Sequence, residues 1–87
     1  MVTKKVKIII PTGLHLRPAG ILCNEAVKYK STIHFKYGDN DANAKSVLST
    51  LGAGIKSGEE IEFVCEGEDE EEAMAAMIAA VESGLGE

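Results

Sequence analysis

A chain of 87 residues is long enough for one domain with a modest core and too short for two. Hydrophobic residues make up 45% and charged residues 26%, with two prolines and no low-complexity tract, a composition that excludes a disordered protein. The net charge of −5 offers no basic footprint for a phosphate backbone, which argues against direct nucleic-acid binding and for basic protein surfaces as partners.

Val2 to Ile10 alternates: Val2, Val6, Ile8 and Ile10 share one face and Thr3, Lys5 and Lys7 the other, which reads as a strand. The apolar stretch before Pro11 is too short for a signal peptide or a membrane span. The run Thr12-Gly13-Leu14-His15-Leu16-Arg17-Pro18-Ala19 then ends the strand, turns the chain at Gly13 and opens a helix. Pro18 falls in the first helical turn, where its missing N–H is harmless. His15 is placed at or beside the N-cap, where unpartnered N–H groups and the macrodipole welcome anions and disfavour a protonated imidazole. A neutral imidazole can attack phosphorus. Arg17 adds a permanently charged fork for phosphate oxygens, and Thr12 adds a hydroxyl donor. A single histidine after a glycine turn is more often an ordinary surface residue, so the weight rests on the whole string.

From Leu16 to Lys28, Ala19, Leu22, Cys23, Ala26 and Val27 recur at helical spacing and form one apolar stripe. Gly20 weakens that helix by about 1 kcal/mol relative to alanine. Thr32 to Tyr37 alternates again, with Ile33, Phe35 and Tyr37 inward. Gly38-Asp39-Asn40 supplies a turn, and Asp41 to Asn43 a short return strand. His34, on the polar face, reads as a solvated bystander. Ser46 is placed to cap a short helix beginning at Val47 and ending at Gly52 or Gly54. As structure alone it is a cap; phosphorylated, it would put negative charge where a helix tolerates it.

Glu60 to Glu66 alternates, with Ile61, Phe63 and Cys65 turned to the core. The acidic run from Glu68 to Glu72 opens a last helix, with Asp69 as N-cap and Glu72 as its capping-box partner. Its continuous helical course lacks the ligand spacing and glycine turn of a calcium loop. Met74, Met77, Ile78 and Val81, with Ala73 and Ala80, form the buried stripe up to Gly84. Cys23 and Cys65 have no metal-ligand spacing and sit at apolar-face positions, so buried free thiols in a reducing cytoplasm are expected. The order β-α-β-β-α-β-α, with striped helices and alternating strands, gives a two-layer α+β sandwich.

The string from Gly13 to Ala19 closely resembles the active-site signature of the histidine-containing phosphocarrier HPr family of the bacterial phosphoenolpyruvate:sugar phosphotransferase system. The stretch Ala44-Lys45-Ser46-Val47 resembles the regulatory region of Gram-positive members. The likeness runs end to end, through the Tyr37 turn, Gly54 with Gly58, Gly67 followed by Asp69-Glu70, and the segment from Ser83 to Glu87. It implies an open-faced sandwich whose antiparallel sheet has the order 1-4-2-3, with three helices on one face.

The resemblance further implies that His15 takes a phosphoryl group on Nδ1 from phospho-enzyme I and passes it to a sugar-specific enzyme IIA or IIB domain. Arg17 would stabilise the phosphoryl group and Thr12 would hydrogen-bond to it. Ser46 would be a second, regulatory phosphosite for HPr kinase/phosphorylase, its phosphorylated form a poor substrate for enzyme I and a co-effector of the catabolite control repressor. Leu16, Gly20, Val47, Leu48 and Leu51 would form an apolar docking patch beside the histidine. Leu16 replaces a smaller family residue, Gly20 a larger one, and Ala53 a common leucine; none of these is a reacting group. No metal or cofactor is called for at His15, and the expectation is a cytoplasmic, monomeric carrier rather than an enzyme. The rival readings are a regulatory binding protein on the same fold, which a replaced histidine would signal, and a carrier for a nitrogen-related or dihydroxyacetone branch.

Overall fold

The computed structural model describes residues 1–86. Along the chain lie β1 (Val2–Lys7), α1 (Leu16–Ala26), β2 (Thr32–Tyr37), β3 (Asn40–Asn43), α2 (Val47–Gly52), β4 (Glu60–Glu66) and α3 (Glu70–Glu82). β4 pairs antiparallel with β1, from Val2↔Cys65 to Lys7↔Glu60, and with β2, from Thr32↔Glu66 to Lys36↔Glu62. β3 completes the sheet as the second arm of a hairpin with β2, so the order is β1-β4-β2-β3. β1 and β2 therefore run parallel, joined across β4 by the crossover through α1.

The alternation of β2 and β4 decides which face is buried. Ile33 and Phe35 meet Cys65 and Phe63 in direct register, and all four are at most 1% exposed. The two phenyl rings pack edge to face with centroids 6.0 Å apart, the arrangement that their quadrupoles favour. α3 lies on β1 and β4, α2 lies against β3, and α1 packs between α2 and α3. Leu22 and Ala26 of α1 and Met77 and Val81 of α3 close the core over the sheet. The result is the two-layer open-faced sandwich.

Several ends differ from the sequence reading. β1 stops at Lys7, although Ile8 and Ile10 stay buried as the alternation predicts. Beyond Lys7 the ladder gives way to loop hydrogen bonds, Ile8 N–H to the Glu59 carbonyl at 2.8 Å and Gly58 N–H to the Ile8 carbonyl at 2.7 Å, before Pro11, which has no N–H. α1 ends at Ala26, so Val27 is its C-cap, swung off the stripe and 56% exposed rather than buried. Cys65 is buried, and burial pushes its thiol up from the ordinary range, which makes it inert. Cys23 is only half-buried, and its thiol donates to the Lys45 carbonyl at 3.0 Å.

The start of α3 needs a larger correction. Asp69 occupies the N-cap position, but it makes no side-chain capping bond, so the box expected with Glu72 is not formed. Its carboxylate instead accepts from the backbone N–H groups of Lys30 and Ser31, each at 2.9 Å, and from the Ser31 hydroxyl. The predicted cap is a clasp between the α1–β2 and β4–α3 loops.

Candidate functional site

The loop between β1 and α1 is held from below. Gly13 N–H closes a turn onto the Ile10 carbonyl at 2.9 Å, and Leu14 N–H donates to the Ile55 carbonyl at 2.9 Å. Leu14, 2% exposed, plugs the core beneath the loop. Gly13 has φ +70, and a Cβ there would stand 2.5 Å from the Ile55 carbonyl oxygen, so both the backbone conformation and the close approach demand glycine. Buried Leu14 below and the turn behind leave the next residue on the surface.

That residue is His15, the N-cap of α1, with extended φ −90 and ψ −166. Its carbonyl accepts from Ala19 N–H at 2.9 Å, the first bond of the helix. Leu16, Arg17 and Pro18 form the first turn, and Pro18 has no N–H to offer, so the donors at this helix end are the N–H groups of Leu16 and Arg17. The first turn contains no acidic residue, and His15, Leu16 and Arg17 are exposed. Thr12, also exposed, lies in the preceding turn. The arrangement presents an imidazole at the positive end of a helix dipole, beside the chain's only arginine.

Ser46 caps α2, as the sequence predicts. Its hydroxyl accepts from Ser49 N–H at 3.1 Å, and its carbonyl accepts from Thr50 N–H at 3.0 Å. The residue before it is fixed on three sides: Lys45 N–H donates to Asn43 Oδ1 at 2.9 Å, Lys45 Nζ to the Tyr29 carbonyl at 2.7 Å, and the Cys23 thiol to the Lys45 carbonyl. The start of α2 is thereby fastened to α1, a tie between distant segments that the local sequence does not announce.

The five residues read as a docking patch divide by exposure. Leu48 is 83% exposed and Leu16 66%, while Val47 and Leu51 are half-buried. Gly20 faces open space: a Cβ added there would meet nothing within 4 Å. Ile9 and Ile21 are further exposed apolar side chains that the sequence does not single out. His34 pairs with Asp41 across the β2–β3 hairpin, Nδ1 to Oδ1 at 3.1 Å. Among the described residues, no group of three or more His, Cys, Asp or Glu side chains is placed to hold a metal ion. No helix among them is long and apolar enough to cross a membrane.

Residues 2–83 match the family model described as the PTS HPr component phosphorylation site. The chain is 40% identical over 82 residues to the HPr-like protein Crh of Halalkalibacterium halodurans, covering 94% of this chain and 98% of that one. It is 38% identical over 82 residues to the phosphocarrier protein HPr of Mycoplasma pneumoniae, covering 91% and 93%. The solved structure of HPr-C-His from Thermoanaerobacter tengcongensis superposes with a TM-score of 0.95 at 36% identity, over 100% of this chain and 98% of that chain. A β1-β4-β2-β3 sheet under three helices, a surface imidazole capping the first helix and a family match along nearly the whole length agree, and the chain belongs to the HPr family of the phosphotransferase system.

Proposed function

We propose that this protein is a phosphoryl carrier that works through His15. An imidazole nitrogen, Nδ1 by the family resemblance, attacks the phosphorus of phosphohistidine on enzyme I. The new N–P bond forms as the old one breaks, and the donor imidazole leaves with its electron pair. The reverse step delivers the group to a histidine or cysteine of an enzyme IIA or IIB domain. Between two imidazoles like replaces like, so the transfer runs nearly level in both directions, and the protein's task is alignment and charge neutralisation. Arg17 supplies the guanidinium fork, the N–H groups of Leu16 and Arg17 supply donors at the helix end, and Thr12 adds a hydroxyl. The protein accepts the group stoichiometrically, so it is a carrier and not an enzyme, acting in the cytoplasm. The observation that carries this reading is the exposed His15 at the N-cap of α1, with Arg17 in an adjoining turn free of acidic side chains.

Sequence identity alone leaves the rival regulatory reading standing, because the chain is about as similar to an HPr-like protein Crh as to a phosphocarrier HPr. The presence of His15 favours the carrier. Ser46 supports a second role: its hydroxyl sits at the start of α2, where a phosphate would meet the positive end of the dipole and not unfold the helix. We assign it as the site of an HPr kinase/phosphorylase, with the catabolite control repressor as the reader of the phosphorylated form. Leu16, Gly20, Val47, Leu48 and Leu51 form the surface on which these partners and enzyme I dock.

The test is intact mass after incubation with phosphoenolpyruvate and enzyme I, followed by acid treatment. One acid-labile phosphate on the wild type and none on His15→Ala is the expected result. A folded wild-type protein that takes no phosphate from any of several enzymes I would overturn this carrier reading in favour of the regulatory one or of a different phosphotransferase branch.

A further inference from the structure

The loop that carries His15 is bonded at both ends to one short segment far along the chain. At its start, Ile8 N–H donates to the Glu59 carbonyl at 2.8 Å and the Ile8 carbonyl accepts from Gly58 N–H at 2.7 Å; at its end, Leu14 N–H donates to the Ile55 carbonyl at 2.9 Å. Residues 8 to 14 therefore hang from residues 55 to 59 as from a bracket. His15 follows the second attachment directly, so the place of its backbone depends on where the Ile55 carbonyl points.

The bracket lies between α2 and β4, in neither helix nor strand, so no ladder fixes its shape. A turn closed twice does so instead. Glu59 N–H donates to the Lys56 carbonyl at 3.2 Å, and Gly58 has φ 90, the positive value that a type II turn requires at its third position. The half-buried Glu59 side chain then reaches back, its Oε1 accepting from Lys56 N–H at 2.7 Å. Both backbone groups of Lys56 are thereby taken up by Glu59, as in the reciprocal closure of a capping box.

Lys56 N–H and the Ile55 carbonyl are the two polar ends of a single peptide group, which is planar. Holding the N–H therefore aims the carbonyl, and an acceptor on the N–H polarises the amide and strengthens the bond that the carbonyl accepts on its other side. The geometry points to Glu59 as a positioning residue for His15: its carboxylate orients the Ile55–Lys56 peptide, and that peptide holds Leu14 N–H and the histidine next to it. The role rests on the reading of His15 as phosphoryl acceptor.

Wild type, Glu59→Ala and Glu59→Gln are to be compared by amide hydrogen exchange and by single-turnover transfer from phospho-enzyme I at varied enzyme I concentration. In Glu59→Ala the Lys56 and Leu14 amides should both exchange about 10-fold faster while the amides of the β4–β2 ladder keep their protection. The limiting rate of transfer should fall by about 3- to 10-fold, with the half-saturating enzyme I concentration unchanged. Glu59→Gln keeps an acceptor oxygen and should restore most of both. Faster exchange at Lys56 but not at Leu14, wild-type transfer in Glu59→Ala, slowing confined to the half-saturating concentration, or a glutamine variant as impaired as the alanine one each overturns the positioning role. So does a loosening of all amides together, which would make the effect one of global stability. A wild type that accepts no phosphate overturns the acceptor reading itself, and is told apart because it fails before any variant is compared.

Discussion

At the scale of single residues, the candidate site is a division of labour between two neighbours of opposite character. On the proposed reading, His15 supplies the lone pair, and Arg17 supplies fixed charge for the oxygens that gather negative charge as phosphorus passes to or from nitrogen. Arg17 is exposed and adds little to the core, so its removal separates chemistry from folding. Arg17→Ala is expected to slow phosphoryl transfer from enzyme I by about 10²-fold, the scale seen when one preorganised donor is lost from a transition state. Thermal unfolding should stay within about 0.5 kcal/mol of wild type, as for surface substitutions generally. Equal transfer rates in stopped-flow or quench measurements would remove Arg17 from the assignment. Lysine at this position should recover only part of the rate, because a point charge lacks the fork.

At the scale of elements, the two short N-termini do different work. α1 opens on a histidine whose side chain makes no capping bond, whereas α2 opens on a serine whose hydroxyl already serves Ser49 N–H. Ser46→Ala should therefore cost about 1 kcal/mol of stability, while Ser46→Asp, an equally good cap, should leave the midpoint of urea unfolding nearly unchanged. If Ser46 is the regulatory site, Ser46→Asp should nonetheless slow transfer from enzyme I; a normal rate in that variant argues against a role for charge there. Much of this level was legible in the sequence, because it depends on neighbours. Thr32–Tyr37 and Glu60–Glu66 alternate and are strands over those same residues. Ser46 reads as a cap and is one. The misread ends share a cause: periodicity reports which side chains are buried, not where hydrogen bonding stops. Ile8 and Ile10 remain inward after β1 has ended, and Val27 keeps helical spacing after α1 has ended.

At the scale of the whole molecule, the important ties join segments far apart in the chain, and these were not legible. Alternation could not order the strands; that came with the family resemblance. The position of Asp69 at a helix start was readable, but its partners are not in its own helix: Ser31, 38 residues away, and Lys30. The Asp69 clasp makes a prediction that concerns global stability. Hydrogen bonds from the Ser31 hydroxyl, and from the N–H groups of Lys30 and Ser31, hold its carboxyl down to about 2, against 3.8 for an unperturbed aspartate. Between those two values the unfolded chain binds a proton that the folded protein does not, so acid favours unfolding across that window. The stabilisation is fully present above about pH 4 and fades as pH falls through 3 toward 2. Asp69→Ala should therefore lower the denaturation midpoint at pH 7, and the gap between variant and wild type should narrow steadily below pH 4 and nearly close by pH 2. Asp69→Asn retains one acceptor oxygen but not the charge, so it should fall between the two at pH 7 and show a weaker dependence on acid than wild type. Urea unfolding of the three proteins at intervals from pH 7 to pH 2 decides the matter. A gap that stays constant across that range would mean that the clasp acts through shape alone, and that its charge contributes nothing to holding the two loops together.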